Sequence, residues 1–522
     1  MKKYLSLLLC VLLAAAVFSA CAGNGGDTSK DPSSGSETNN ESSASQTSEP
    51  SSEHDHLSNP NIYKGSEYRD RTFTVLTFGV GATPVSEFVY NEETADEILP
   101  STVSEAIRDR NNKVNDELGV TIAEIYKQTV ARFGGETLNT VRNAISSADD
   151  KTFQAISICL YDCGTLALEN SLYDLNSLEN INMENPWWEQ SFNKSVTIAG
   201  QLYFTIGDIG FNHKDSTPCV YYNTRLIDDL GLQDPIELAV SGDWTIDKAL
   251  EYSKKLLIDS SPPIGIDYKD EFGWAGQNDD MYAMLYGAGV KILSPDPEGF
   301  LTLTMKGETA IGTIDKVIGL MLDDSYVSGN DFFHVSTTPM VLLQEAFQEG
   351  RCLFYSGGIN SAKVFDMPDV FGILPVPKYT AEQDDYYSLI NTWVTNAYCI
   401  AANCGEEAAE FAAAVMDVAG YFSWIKNSDS LAFNYYEKML KNQKLAREDS
   451  EAMLDLIFSA RGCELGAIFQ IGKKSGSTSV NEMLVQLITA KAKGGFVAAY
   501  DKYSQAFETD VDELNDYFRM DK

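Results

Sequence analysis

Phe153-Gln-Ala-Ile-Ser-Ile-Cys-Leu-Tyr161 is almost wholly apolar. A run this short and this apolar reads as a strand covered on both faces, as inside a parallel sheet. Upstream, Phe73-Thr-Val-Leu-Thr-Phe78 is a β-branched and aromatic strand, ended by the turn Gly79-Val-Gly81. Between them, Val103, Ile107, Val114 and Leu118 predict a helix over 101–118 that Gly119 stops. Residues 120–126 form another strand, and Leu138, Val141 and Ile145 a helix over 137–148. The order β-α-β-α-β means a mostly parallel, doubly wound sheet. Ligands of such sheets bind beyond the carboxyl ends of the strands, which points to Phe78, Tyr161 and Asp162.

A second α/β region begins after Gln201-Leu-Tyr-Phe-Thr-Ile206. It has a strand over 219–222, a short helix over 224–230 ended by Gly231, and Thr245 as N-cap of a helix. That helix carries Ile246, Leu250 and Leu257 on one side. Further on come a strand over 353–355, a turn at Ser356-Gly-Gly358 that opens a helix, a strand over 371–375, and an extended run over 387–400. An Ala-rich helix over 406–418 and a mainly helical C-terminal region close the chain.

Composition narrows the function. The chain has 522 residues, 39 Lys+Arg against 76 Asp+Glu, and a net charge of −37, with 44% apolar residues. A length of this size means two or more domains. The negative charge excludes general nucleic-acid binding and adhesion to anionic lipid through a basic face. Lys2 and Lys3 precede an apolar run that stops at Phe18-Ser19-Ala20-Cys21, which reads as a signal peptide over 1–20. Small residues before Cys21 resemble a bacterial lipobox, so Cys21 is expected to carry the lipid, palmitate included. Residues 22–56 contain no Ile, Val, Leu, Met, Phe, Tyr or Trp, so 21–58 is a disordered tether. His54 and His56 belong to this tail and are not expected to bind metal. No later apolar run approaches the ~18 residues of a membrane span. After processing, Cys159, Cys163, Cys219, Cys352, Cys399, Cys404 and Cys463 remain, too sparse and of odd number for a disulfide framework. No cofactor or metal site is expected.

Four stretches together resemble the extracellular solute-binding lipoproteins of bacterial ABC importers, of the carbohydrate-type, family 1-like cluster. They are Val220-Tyr-Tyr-Asn223 followed by Leu226-Ile-Asp-Asp-Leu-Gly-Leu232 and Asp243-Trp-Thr245; Gln348-Glu-Gly-Arg-Cys-Leu-Phe-Tyr-Ser-Gly-Gly358; Gly372-Ile-Leu-Pro-Val-Pro377; and Gly200-Gln-Leu-Tyr203. The resemblance covers 69–522. It implies an α/β, two-lobed periplasmic-binding-protein-like (type II) fold with discontinuous lobes, hinge strands and a helical C-terminal region. Lobe one is then 69–210 plus 397–440, and lobe two 211–396 plus 441–522, with crossings near Ile206-Gly-Asp-Ile-Gly210 and near 393–397. It also implies a monomer on the outer face of the cell membrane, held there only by its lipid. Its partners are a small solute, with carbohydrate favoured, and the permease subunits of an ABC importer.

A sugar site needs aromatic faces for C–H surfaces and carboxylates or amides for hydroxyls. Candidates are Trp393 with Asn391 on one crossing, Asp208 on the other, Trp274 with Asp279 and Asp280 in the loop Gly273-Trp-Ala-Gly-Gln-Asn-Asp-Asp280, and Ser356 and Asn360 at a helix start. Many sugar-binding relatives carry a Trp where Ile359 and Asn360 stand here. Trp187, Trp188 and Trp244 read as packing residues. The alternative ligands are a peptide or another polar solute. The rival class is a lipid-anchored glycoside hydrolase, but the chain has no HExxH, GxSxG or Walker loop, and Ser191-Phe-Asn-Lys194 is too short a match to carry weight. A non-enzyme is expected.

Overall fold

The computed structural model describes residues 68–79, 85–90, 100–128, 134–149, 151–260, 265–403, 405–425, 428–444, 447 and 449–520; side chains at 442–444 are outside the description. The signal segment, Cys21, the tether, Val80-Gly81 and Cys404 therefore lie outside the described residues. The strands in chain order are β1 (Thr72–Gly79), β2 (Thr121–Gln128), β3 (Ala155–Cys159), β4 (Pro218–Asn223), β5 (Leu257–Ile258), β6 (Glu271–Gly276), β7 (Leu293–Pro295), β8 (Leu301–Leu303), β9 (Tyr326–Ser328), β10 (Cys352–Gly358), β11 (Phe371–Leu374), β12 (Ser388–Leu389), β13 (Asn396–Ile400) and β14 (Arg461–Gly462).

The first sheet has the order β13-β3-β1-β2. β1 runs parallel to both neighbours, and β13 closes the β3 edge antiparallel, Asn396 opposite Cys159. Every residue of β3 is buried, as its apolar run requires. The helix Ser101–Leu118 buries Val103, Ile107, Val114 and Leu118, and Gly119 ends it at φ 69°. That helix packs on Glu406–Trp424.

The second sheet has the order β11-β4-β10-β6-β5, and β9 also pairs with β6. It is mixed: β4 is antiparallel to β10 and β11, while β6 is parallel to β10 and β9. Thr245 caps Ile246–Ser253, its hydroxyl accepting from the Lys248 N–H at 3.3 Å. Two short pairs, β12–β14 and β7–β8, stand apart.

The chain passes between the sheets at 199–217 and again at 390–395. The two passages meet where Thr205 and Tyr398 exchange backbone hydrogen bonds of 3.0 and 2.8 Å. Arg110, buried in the first long helix, donates to the Ile209 carbonyl at 2.7 Å and the Phe88 carbonyl at 3.1 Å. Its guanidinium thus ties that helix to the passage. The C-terminal helix Phe496–Met520 reaches both regions: Tyr517 donates to the Ala167 carbonyl at 2.6 Å, and Asn515 bonds both backbone groups of Leu301.

Five local expectations need correction. β3 stops at Cys159, and Leu160–Leu168 is already helix, so Tyr161 and Asp162 sit on its first turn. Ser356-Gly-Gly358 stays in β10, and only a 3-10 turn, Ile359–Lys363, follows. The segment 273–276 is strand, not loop. Leu257 lies in β5 and is exposed, because its helix ends at Ser253. The run 387–400 is broken, since Thr395 N–H bonds back to the Asn391 carbonyl at 3.0 Å in a turn. Asn391, Trp393 and Thr395 therefore do not share a strand face.

Candidate functional site

A cavity of about 940 Å³ opens between the ends of the two sheets. The first sheet delivers Tyr161 to it, from the helix turn that follows β3. The second delivers Ser356, Gly357 and Gly358 at the end of β10, Asn360 just after, and Asp279 and Asp280 where β6 gives way to the helix Asp280–Gly287. The turn 391–394 supplies Asn391 and Trp393. The far wall comes from the C-terminal region: Glu464, Gln470, Asn481, Glu482 and Gln486.

Trp393 is 50% exposed, the one tryptophan among the exposed large apolar residues. Its backbone N–H donates to Asn391 Oδ1 at 2.9 Å, an Asx turn that fixes the corner. The Tyr161 ring meets it edge to face, centroids 6.0 Å apart. Burial pushes the Tyr161 hydroxyl up to about 12, so it enters any site chemistry as a neutral hydrogen-bonding group.

Asp280 Oδ2 accepts from the Gln277 N–H at 3.1 Å and the Tyr326 hydroxyl at 2.9 Å. Burial raises its pKa to about 6, with those donors and Ser356 pulling down and Asp279 pushing up. Gly276 is required beside this pair, since a Cβ there would stand 2.1 Å from the Tyr326 hydroxyl oxygen and 2.4 Å from Asp280 Oδ2. Asp279 opens onto the cavity, and among the described residues no hydrogen bond or ion pair holds its carboxylate. Desolvation alone raises its pKa.

Tyr161, Asp279, Asp280, Ser356, Asn360, Asn391 and Trp393 thus line one cavity. Phe78, Asp162, Asp208 and Trp274 do not. Phe78 is core, 1% exposed in β1. Asp162 is fully buried and accepts from the Cys159 thiol at 3.3 Å. Asp208 is taken by Lys214. Trp274 lies behind the wall, stacked between Trp244 and Tyr326, its indole N–H donating to Ser356 Oγ at 2.9 Å. It acts on the site through Ser356 rather than by contact. Trp187 and Trp188 are also buried, both donating to Asp417 Oδ1.

Sequence reasoning missed the C-terminal wall and Tyr282. Ser479-Val-Asn-Glu482 is a capping box, Ser479 Oγ accepting from the Glu482 N–H at 3.2 Å while Glu482 Oε2 accepts from the Ser479 N–H at 3.1 Å. That S-x-x-E signature marks the helix start, but nothing in it marks the helix as a cavity wall. Among the described residues no group of three or more His, Cys, Asp or Glu is placed to hold a metal ion, no helix is long and apolar enough to cross a membrane, and the six described cysteines are buried and form no disulfide.

No known family model matches the sequence, and no curated protein matches it. Solved structures do match its shape. A cyclic α-maltosyl-1,6-maltose binding protein from Arthrobacter globiformis is 12% identical, covers 84% of this chain and 98% of its own, and superposes with a TM-score of 0.55. A cyclo/maltodextrin-binding protein complexed with maltotetraose is 11% identical over 84% of this chain and 97% of its own, TM-score 0.53. An ABC substrate-binding protein from Listeria monocytogenes in complex with cycloalternan is 12% identical over 86% and 99%, TM-score 0.50. The sequence expectation of a two-lobed α/β architecture holds: the chain has the fold of the ABC solute-binding proteins.

Proposed function

We propose that the protein is an extracellular receptor that captures a small solute between its sheets and hands it to the permease of an ABC importer. The solute is a sugar or oligosaccharide. The observation that carries this reading is the cavity itself. Its walls combine an exposed indole, a tyrosine edge, amides and carboxylates, the pairing that sugar C–H faces and hydroxyls need. Its volume of about 940 Å³ lies at the upper end of small-molecule sites, roughly 300–1,000 Å³, which suits an oligosaccharide better than a single ring. The structures of the same fold complexed with maltotetraose and cycloalternan support that choice.

In this reading Tyr161, Asp279, Asp280, Ser356, Asn360, Asn391 and Trp393 touch the solute. The passages near 206–210 and 393–397 act as hinges between a lobe of 69–210 plus 397–440 and a lobe of 211–396 plus 441–522. Solute that contacts both lobes favours the closed form by its differential affinity. Cys21 carries the lipid, 21–58 is the tether, and the receptor works as a monomer without catalysis.

The test is a thermal-shift series on the full chain with mono- and oligosaccharides, peptides and polyamines. A saturable rise in melting temperature with an oligosaccharide is expected. A rise with peptides alone would replace the sugar reading by a peptide one, and turnover of a bound glycan would end the non-catalytic one.

A further inference from the structure

The charge on the cavity walls is one-sided. Asp215, Asp279, Asp280, Glu464 and Glu482 line it, with no Lys, Arg or His among the lining residues. Two of the five are neutralised from outside: Lys363 Nζ lies 2.5 Å from Asp215 Oδ1, and Lys473 Nζ lies 2.5 Å from Glu482 Oε1. The other three have no ion-pair partner among the described residues. Glu464 is satisfied by the backbone N–H groups of Ile292, Leu293 and Gly466. Asp280 is held by Tyr326 and Gln277. Asp279 has neither kind of partner.

Independently, two buried polar atoms on the lining lack a hydrogen-bond partner: the Tyr282 hydroxyl, one helical turn beyond Asp279, and Asn481 Oδ1 on the opposite wall. A buried polar atom left unpaired costs about 1–3 kcal/mol, and these two find no partner among the described residues, so a polar group entering the cavity beside them meets hydrogen-bonding capacity still to be satisfied. That group is not a metal ion, since no three ligating side chains converge among the described residues. Trp393 and Tyr161 add aromatic faces and edges, and an indole face attracts an ammonium.

We propose that the cleft selects a cationic sugar: an oligosaccharide carrying at least one free, protonated amine, placed against Asp279 beside Tyr282. This rests on the sugar-receptor reading above and narrows it. A neutral sugar leaves Asp279 without a counter-charge, and a uronate brings a like charge into a focused negative field.

Calorimetric titration of the full chain separates the possibilities. The probes are a glucosamine tetramer, its N-acetylated counterpart, maltotetraose and a galacturonic acid tetramer. The amine-bearing tetramer is expected to bind at least about tenfold tighter than its N-acetylated twin, a difference of about 1.4 kcal/mol. That margin should shrink as ionic strength rises from about 0.02 M to about 0.3 M. Asp279→Asn should erase the margin without lowering the melting temperature, because a desolvated carboxylate with no hydrogen bond or ion pair among the described residues is what is removed. Equal or tighter binding of the N-acetylated, neutral or acidic tetramer overturns the cationic inference and leaves the receptor standing. Failure of all four to bind removes the sugar-receptor reading and the inference with it.

Discussion

Trp393 is 50% exposed and lines the cavity, while the Tyr161 ring and the Asn391 turn fix its position. Trp393→Ala should weaken oligosaccharide binding by about tenfold, given that aromatic contacts of this kind are worth about 0.5–1.5 kcal/mol beyond the area they bury. Its melting temperature should move little, since an exposed side chain contributes little to packing. Titration calorimetry beside a thermal melt reads both quantities. Trp274→Phe should behave oppositely: the ring stack survives, Ser356 Oγ loses its donor, and stability falls by about 1 kcal/mol in urea unfolding. These two tryptophans mark the limit of what a sequence makes legible. Both are aromatic residues near a strand end, and only the turn at 391–395 exposes one while β6 buries the other. Alternation tells which residues share a face; it does not tell which face meets the cavity. Asp208 and Asp162 fail for a similar reason, because Lys214 and the Cys159 thiol claim their carboxylates from sequence positions that give no warning.

At the scale of elements, the caps carry the predictions. Thr245 was recognisable from its place before an apolar helical repeat, and its hydroxyl does accept from Lys248. Thr245→Ala should cost about 1 kcal/mol by chemical denaturation. Ser479→Ala should cost a similar ~1 kcal/mol and, unlike Thr245→Ala, also lower solute affinity, because its helix places Asn481 and Glu482 on the cavity wall. The parallel strands β1, β2 and β3 were legible because each is rich in apolar or β-branched residues and amphipathic helices separate them. β12 and β13 were legible only as one extended run over 387–400, because Asn391-Thr-Trp-Val-Thr395 has the composition of a strand and only a backbone bond turns it into a corner. The helix start at Leu160 was hidden for the same kind of reason, since the apolar run continues across the boundary.

For the whole molecule, pH is the informative variable. Burial raises Asp280 and Asp417 to about 6 and Glu464 to about 7. Each holds its proton more tightly folded than unfolded, so stability grows as pH falls through these values toward the unfolded carboxylate range. His213 opposes them, because burial keeps it neutral in the fold and the unfolded chain takes up that proton below its ordinary value of 6.5. Three carboxyls against one imidazole, with relief of self-repulsion at a net charge of −37, set the sign. The melting temperature should rise from about pH 8 to about pH 5.5 and fall again near pH 4 and below, where the unfolded chain takes up protons that the lowered carboxyls Asp323, Asp449 and Glu482 still refuse in the fold. A calorimetric scan across that range checks the direction.

The antiparallel strand β13 sets a timetable. Its partner β3 and the rest of the first sheet are finished by Cys159, yet the edge that completes them begins at Asn396. At translation speeds of roughly 5–20 residues per second, the growing chain carries an open, mostly apolar sheet edge for on the order of tens of seconds. The C-terminal helix that clasps Ala167 and Leu301 arrives later still. A chain built this way cannot complete its first sheet until β13 has emerged, so that edge stays unpaired for most of synthesis.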